Sequence, residues 1–304
     1  MPSLLLVCPR CRGPLDAALR CRRCGAEYRC DDGIADFADG DYYDRFEPTD
    51  ELTAAHRAGL ELELEGTRRR IVDFYEPMLR RAGARRVLDC GCGNGLSVDL
   101  LAEAGYEAWG NDVSQLRKWQ WRERVRQDRL VVASGLRLPF PDGTFDAVLS
   151  SGVIEHIGVA EQALPRYTVE PLAGRDALRI AFLRELLRVT RPGGQILLDW
   201  PHGSFPIDFW HGDRPGGARW HSPREGFLPT VGDVRRLLRR AAPDATLEAL
   251  SPYKRLQFQQ ARSHWYGRLF SLPMTALFFA MTLPPWRWLA ATPVNPFAVV
   301  RIRR

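Results

Sequence analysis

Four cysteines fall in the pattern C-x2-C-x9-C-x2-C, at Cys8, Cys11, Cys21 and Cys24. Each Cys-x-x-Cys turn aims two thiolates at one point, and two such turns in one short segment suit a tetrahedral zinc ion. A pair of disulfides is the alternative. The start of the chain is apolar only over Leu4–Val7 and has no charged stretch before it, so it does not read as a secretory signal, and a reducing compartment favours thiolates. The second constellation is VLDCGCGNG, Val87–Gly95. Gly91, Gly93 and Gly95 follow an apolar run and open a helix, a turn that lets a ligand approach bare backbone at a helix N-terminus. The spacing is G-x-G-x-G and Asp89 stands just ahead of it, unlike the G-x-G-x-x-G of pyrophosphate binders. A pyrophosphate disfavours a neighbouring carboxylate, whereas a cationic amine accepts one. Asp112 stands one strand further on, where an acid holds a ribose diol. The pair predicts an adenosine-bearing ligand with a positive tail. A plain helix-capping role for Asp89 is the alternative. Cys90 and Cys92 read as small packing residues of the turn, and Cys30 as a small buried hydrophobe in a strand.

These residues need a frame, and the chain provides one. It has 304 residues, 45% hydrophobic and 26% charged, enough for a large domain with a real core plus a small one. The net charge of +6 is nearly all arginine, with Lys118 and Lys254 the only lysines. Such a balance permits nucleic acid, anionic lipid or an anionic substrate, or reflects codon usage alone. Residues 51–82 read as helix, with Ile71, Val72, Phe74, Tyr75, Met78 and Leu79 mainly on one side, Pro77 starting or kinking the last turns and Gly83 ending it. Strands and helices then alternate. Strands are expected at RRVLDCG, YEAWGND, RLVVAS, FDAVLSSG, QILLDWP, ATLEAL and FAVVRIRR. Helices are expected at LSVDLLAEAG, SQLRKWQWRERVRQD, VGDVRRLLRRA and DALRIAFLRELLRVTRPGG, the last stopped by Pro192 and Gly193. Alternation of this kind means a mostly parallel α/β sheet of seven strands with helices on both faces.

Four segments in this order, VLDCGCGNG, GNDVS, LRLPFPDGTFDAVLSSGVIEHI and LLRVTRPGGQILLDWP, resemble the class I S-adenosylmethionine-dependent methyltransferases, in the branch related to quinone-biosynthesis methyltransferases. The resemblance is firm over residues 70–200. It implies a Rossmann-like sheet and S-adenosylmethionine as methyl donor. By position, Asp89, Gly91 and Gly93 border the methionine portion, with Cys92 and Asn94 in the same turn. Asp112 holds the ribose hydroxyls, with Val113 beside it. Ser134, Gly135 and Leu136 follow the third strand where the adenine is read; the family places an acid at Ser134. Ser151 and Gly152 lie beside the sulfonium. The N-terminal CPRCRGPL…CRRCGAEYRCDDGIADF resembles the zinc ribbon at the front of many bacterial methyltransferases, which also occurs as a free-standing methyltransferase activator. That pattern has an apolar residue at Cys30 and prolines at Arg29 and Ala35. The organisation expected is a zinc ribbon at 1–38, a linker and N-terminal helices at 39–84, and a methyltransferase domain at 85–304.

Transfer to a hydroxyl needs a general base. His156, Asp208 and His211 are the candidates, with His202 and His221 further histidines of the same loops. All follow the fourth or fifth strand, at carboxyl ends where open parallel sheets bind ligands. Glu155–His156 is common in the family and has a structural role as its alternative. The aromatics Trp200, Phe205, Phe209, Trp210 and Trp220 crowd the same stretch and suggest an acceptor pocket. Between the last two strands, at about 252–294, lies an apolar insert in which residues 269–286 carry no charge. It falls short of the ~20 apolar residues of a bilayer crossing and holds Pro273, Pro284 and Pro285. The sixth strand is expected parallel to the first, so the insert should emerge on the active-site side. Trp265, Tyr266, Trp286 and Trp288, with Arg262, Arg268 and Arg287, fit an interfacial element. A buried lid or a dimer contact is the alternative. The expectation is therefore a cytoplasmic O- or C-methyltransferase of a small apolar or lipid-linked acceptor, touching the inner face of the membrane through residues 264–290. An rRNA or tRNA methyltransferase that uses the ribbon for RNA contact, and a non-catalytic methyltransferase-like partner protein, are the competing readings.

Overall fold

The computed structural model describes residues 6–44, 46, 54–162, 166–212, 218–256 and 265–304, except the side chains of 54–59, 265–268 and 270. The side chains of Arg262, Trp265, Tyr266 and Arg268, read above as part of an aromatic and basic belt, lie outside the described residues. Thirteen strands are present among the described residues: β1 (Arg29–Asp31), β2 (Ile34–Asp36), β3 (Arg86–Cys90), β4 (Glu107–Asp112), β5 (Leu130–Val132), β6 (Phe145–Ser151), β7 (Val159–Gln162), β8 (Thr168–Pro171), β9 (Thr190–Pro201), β10 (Ile207–Asp208), β11 (Arg219–Trp220), β12 (Thr246–Leu250) and β13 (Phe297–Arg303). The main sheet runs in the order β1-β2-β5-β4-β3-β6-β9-β13-β12. It is the Rossmann-like α/β sheet expected, but with nine strands rather than seven. The seven read from the sequence are β3, β4, β5, β6, β9, β12 and β13. The other two belong to the cysteine-rich segment, whose β1–β2 hairpin lies parallel to β5 through Ala35↔Val131 and Asp36↔Val132. An open strand edge is a row of unsatisfied donors and acceptors, and β2 covers that of β5.

The chain forms two compact units: Met1–Ser150 with Arg184–Ile196 and Arg304, and Ser151–Leu183 with Leu197–Arg303. In the first, β3 pairs in parallel with both β4 and β6. The chain steps outward from β3 through β4 to β5 and then returns to β6 on the other side of β3, so the strand order reverses at the carboxyl end of β3. Open α/β sheets bind ligands at such a point. Helix α1 (Ala54–Arg69) leads into a wide π-helical turn, Arg70–Tyr75, and then α2 (Glu76–Arg81), with Pro77 in its first turn. Ile71, Phe74, Tyr75 and Leu79 are buried, but Val72 is half exposed rather than on the packed face. Helix α3 (Leu96–Glu103) follows the glycine turn. The next helix, α4 (Gln115–Gln120), is shorter than expected. Its continuation is lost because buried Trp121 turns in to donate its indole N–H to the Gly93 carbonyl at 2.8 Å, and Asp99 takes the amides of Val125 and Arg126. Cys30 is exposed in β1, not buried, since the hairpin edge leaves its side chain in solvent.

Helix α5 (Arg175–Val189) ends earlier than expected, and β9 already takes in Pro192 and Gly193. The second unit holds α6 (Val231–Ala241), whose start is fixed by a reciprocal cap between Thr230 and Asp233 and whose Val234, Leu237 and Leu238 are buried. Two hairpins not read from the sequence, β7–β8 and β10–β11, lie in this unit. Strands β12 and β13 are antiparallel. Between them lies α7 (Trp265–Ala280), which continues through Pro273, followed by a 3-10 segment, Pro284–Ala291. Phe278, Met281 and Ala290 are buried there against Ala249, Tyr253 and Leu256. No described helix is long and apolar enough to cross a membrane.

Asp146 joins three parts of the first unit. It accepts the amides of Arg85 and Arg86 at 2.7 and 2.8 Å and pairs with Arg191. Burial works against its charge, but those amides and the guanidinium outweigh it and hold the carboxyl below its ordinary range. A lowered folded-state value contributes stability that is present above the unfolded value of ~3.9 and is lost as pH falls through the folded one. Asp146→Asn should therefore cost ~1–3 kcal/mol at pH 7 by urea unfolding, with the gap to the parent closing below about pH 4.

Candidate functional site

In the first unit, Asp89 is the penultimate residue of β3 and is fully buried. The Arg70 guanidinium from the π-helical turn reaches its Oδ2 at 3.1 Å, and its Oδ1 has no hydrogen-bond partner among the described groups. The glycine turn that follows is fixed by one acceptor: the amides of Gly91 and Cys92 both donate to the Asn111 carbonyl, at 2.8 and 2.9 Å. Gly93 adopts φ +55°, and a Cβ there would lie 3.2 Å from Glu63 Oε1. At Gly95 (φ +77°) a Cβ would lie 2.9 Å from Leu130 and Trp121. Only glycine serves both positions. Burial pushes the thiols of Cys90 and Cys92 well up, which favours the neutral, packed form of both.

Asp112, at the end of β4, accepts the Gly93 amide on Oδ2 at 2.9 Å and its neighbour Val113's amide on Oδ1 at 2.8 Å. Burial raises its pKa, with Arg117 and these amides opposing. A carboxylate has about four acceptor sites, so both oxygens retain capacity for a diol. Asn94 donates to Glu63 at 3.0 Å, and Arg117 pairs with the same carboxylate at 2.8 Å. Glu63 on α1, Arg70 and Arg117 were not among the residues expected here. Their charges come from elements whose own patterns read only as helix. Asp44, in the acidic linker, accepts the Gln115 amide at the start of α4 and the Ser114 hydroxyl, a docking that linker composition does not disclose. Ser134 uses its hydroxyl to accept the Leu136 amide at 3.3 Å, closing the turn that holds Gly135. The orphaned oxygen of Asp89, the glycine cradle and the accepting carboxylate of Asp112 fit a cationic adenosine compound.

The four cysteines also meet. Their sulfurs lie within 4.8 Å of one another, with Cys8–Cys24 at 3.7 Å and Cys11–Cys21 at 3.4 Å. Tetrahedral zinc with bonds of about 2.3 Å spaces its sulfurs by about 3.8 Å, so the cluster fits that ion.

The second unit holds Ser151 and the expected proton-handling residues. Ser151 is bound to the buried carboxylate of Asp199, to which Arg255 also donates at 2.8 and 3.0 Å. His156 and His211 stand edge to face with ring centroids 5.2 Å apart, and Asp208 reaches His211 Nδ1 at 3.0 Å. His156 Nδ1 meets Glu161 at 2.6 Å, and Glu161 also accepts the Tyr167 hydroxyl. Burial opposes charge on His156, but Glu161 and the carboxylates of Glu155 and Asp208 prevail and raise its pKa. Phe227 packs on both imidazoles. Glu161, Tyr167 and Phe227 were not anticipated. His202 is not part of this group: it bonds the Asn295 carbonyl and the Val231 amide, and burial lowers its pKa to about 4. The aromatics read as a pocket divide: Phe205, Phe209 and Trp210 stand in successive ring contact, with centroids 6.1 and 5.9 Å apart, and the two other tryptophans lie apart from them. Trp200 is buried with its indole on the Pro229 carbonyl, while Trp220 is 77% exposed.

Residues 88–170 match the family model described as a methyltransferase domain. A Mycolicibacterium smegmatis protein named "Probable S-adenosylmethionine-dependent methyltransferase" is 29% identical over 128 residues, 42% of this chain and 42% of its own. A demethylmenaquinone methyltransferase of Beutenbergia cavernae is 34% identical over 119 residues, 38% of this chain and 42% of its own. A solved S-adenosylmethionine-dependent methyltransferase from Mesorhizobium loti is 17% identical, with 75% of this chain and 96% of that one covered, at a TM-score of 0.44. The chain spans less than half the length of these two curated relatives. The matched segment holds the glycine turn, Asp112 and Ser134.

Removing one partner of a buried pair strands the other charge. Arg70→Met should cost ~3–5 kcal/mol in urea unfolding, and adding Asp89→Asn should recover most of it.

Proposed function

We propose that the chain is an S-adenosylmethionine-dependent methyltransferase whose acceptor is small and apolar or lipid-linked, methylated on oxygen or carbon. The observation that carries the donor assignment is the carboxylate-flanked glycine turn: buried Asp89 with one oxygen unpaired, and Asp112 one strand away. S-adenosylmethionine, when bound, supplies a methyl group on a sulfonium, already activated for displacement. The work left to the chain is positioning, which in well-aligned reactions is worth several kcal/mol. Asp89 would favour the cationic methionine end and Asp112 the ribose hydroxyls, with Gly91, Cys92, Gly93 and Asn94 presenting backbone. Val113, Ser134, Gly135 and Leu136 would border the nucleoside, and Ser151 the sulfonium. His156, Asp208 and His211 would handle the acceptor's proton, Asp208 holding the His211 ring by its Nδ1. Zinc in the four-cysteine cluster would fix the N-terminal segment and take no part in transfer.

The acceptor class rests on the insert. Its inner side is packed, yet Leu269, Leu272, Phe279, Leu283, Trp286 and Trp288 are each at least 41% exposed. Two tryptophans flanking Arg287 among exposed aliphatics suit the boundary between headgroups and acyl chains. Residues 264–290 would thus hold the enzyme against a membrane surface that supplies the acceptor.

Calorimetry should give saturable binding of S-adenosylmethionine that Asp112→Ala weakens about tenfold or more, ~1.4 kcal/mol. Incubation of labelled S-adenosylmethionine with fractionated lysate should carry label into the organic phase; label in rRNA or tRNA would overturn the acceptor class. Trp286→Ser with Trp288→Ser should reduce sedimentation with anionic liposomes while leaving cofactor binding intact. Equal sedimentation of the variant and its parent would count against the membrane contact.

A further inference from the structure

Glu155 presents a chemical problem. It is 1% exposed, and neither carboxylate oxygen has a hydrogen-bond partner among the described groups. An ionised carboxylate in such a place is costly without a compensating charge or donor. Protonation does not resolve it, because the acid then carries a donor with nothing to receive it. What surrounds it is a ligand set. One oxygen of Glu155, one ring nitrogen of His156 and one of His211 all lie within 4.8 Å of one another.

The framing matches a metal centre. Each imidazole gives its Nδ1 to a carboxylate, His156 to Glu161 and His211 to Asp208. Metal-binding histidines are commonly oriented in this way, which fixes the ring and raises its basicity. The backbone is also held: buried Arg179 donates to the carbonyls of Glu155 at 2.9 Å, Ile157 at 3.1 Å and Phe227 at 2.6 Å. That one side chain ties the segment bearing two of the donors to the ring that packs on both imidazoles.

We infer that Glu155, His156 and His211 bind a divalent first-row transition ion through one carboxylate oxygen and two imidazole nitrogens. Two nitrogen donors argue against magnesium or calcium, which take oxygen, and the lack of thiolate sets this group apart from the four cysteines. Metal–donor bonds of about 2.1 Å place donor atoms roughly 3.0–3.4 Å apart, inside the 4.8 Å within which these three lie. Three protein ligands leave coordination positions for oxygen donors, either water or a hydroxyl of the acceptor; with the ion bound the two imidazoles act as ligands, and a metal-bound hydroxide would take the proton assigned to them above. That use by the acceptor rests on the function proposed above; occupancy by the ion does not.

Cobalt(II) is the probe, titrated into the full chain after metal removal and followed by absorption and calorimetry. Cobalt at the cysteines gives an intense thiolate charge-transfer band; cobalt on nitrogen and oxygen gives none. The expected result is an equivalent without that band. Glu155→Gln and His211→Asn should each weaken it at least tenfold, and Glu161→Gln by ~10–100-fold through loss of ring orientation. The thiolate-bound equivalent, the thermal melt and S-adenosylmethionine binding, all recorded on the same samples, report that each variant is folded. They also separate this inference from the methyltransferase reading. Absence of a non-thiolate equivalent in the parent, or its survival in folded Glu155→Gln and His211→Asn, would overturn the assignment.

Discussion

The carboxylate of Asp89 is fully buried, and the guanidinium of Arg70 stands within reach. This pair sets the geometry of the first unit around the end of β3. Arg70 occurs where the helix widens into a π-helical turn, and that turn also buries Ile71, Phe74 and Tyr75. Extra-wide turns of this type are frequent at functional sites. Here the distortion delivers a cation to the buried end of a strand while keeping an apolar face on the same short segment. One oxygen of Asp89 is engaged by that cation, and the other has no hydrogen-bond partner among the described groups.

Much of the fold was legible because it follows from short-range pattern. The seven central strands are compact apolar runs between turn residues, and α6 carries its own start signal in Thr230 and Asp233. The glycine turn announced itself through residue type alone, since Gly93 and Gly95 adopt φ values that other residues avoid. What could not be read depends on partners distant in sequence. Val72 seemed to belong to the packed face until the wide turn changed the phase. Trp121 ended α4 by bonding a carbonyl 28 residues earlier. Cys30 looked like a core residue in isolation and is exposed because its hairpin lies at a sheet edge. Glu63 and Arg117 approach Gly93 from two separate helices, and neither charge differs in its local sequence from an ordinary solvated one.

The second unit shows the same division. Periodicity identified the histidines as loop residues but could not sort them. His156 and His211 converge although 55 residues separate them, whereas His202, nearer to His211 in sequence, turns to a buried carbonyl. The carboxylates that orient the two rings come from β7 and β10, strands too short and too polar to stand out. The insert is the reverse case. Its composition was conspicuous, and its packing divides it into a sealed side and an apolar outer side.

The pairing of β2 with β5 ties the cysteine-rich segment to the main sheet more closely than a tethered accessory module would be. Val7 and Phe37 add further main-chain bonds to Pro139 and Val132. Removing the cysteine-rich segment alone, residues 1–38, would strip β5 of its neighbour and leave a bare strand of three apolar residues, Leu130–Val132, at the margin of the sheet. Such a margin recruits strands from other molecules. A shortened protein would therefore tend toward insoluble self-association during expression, and a failure to purify it would report on the uncovered edge, not on the chemistry of the remainder.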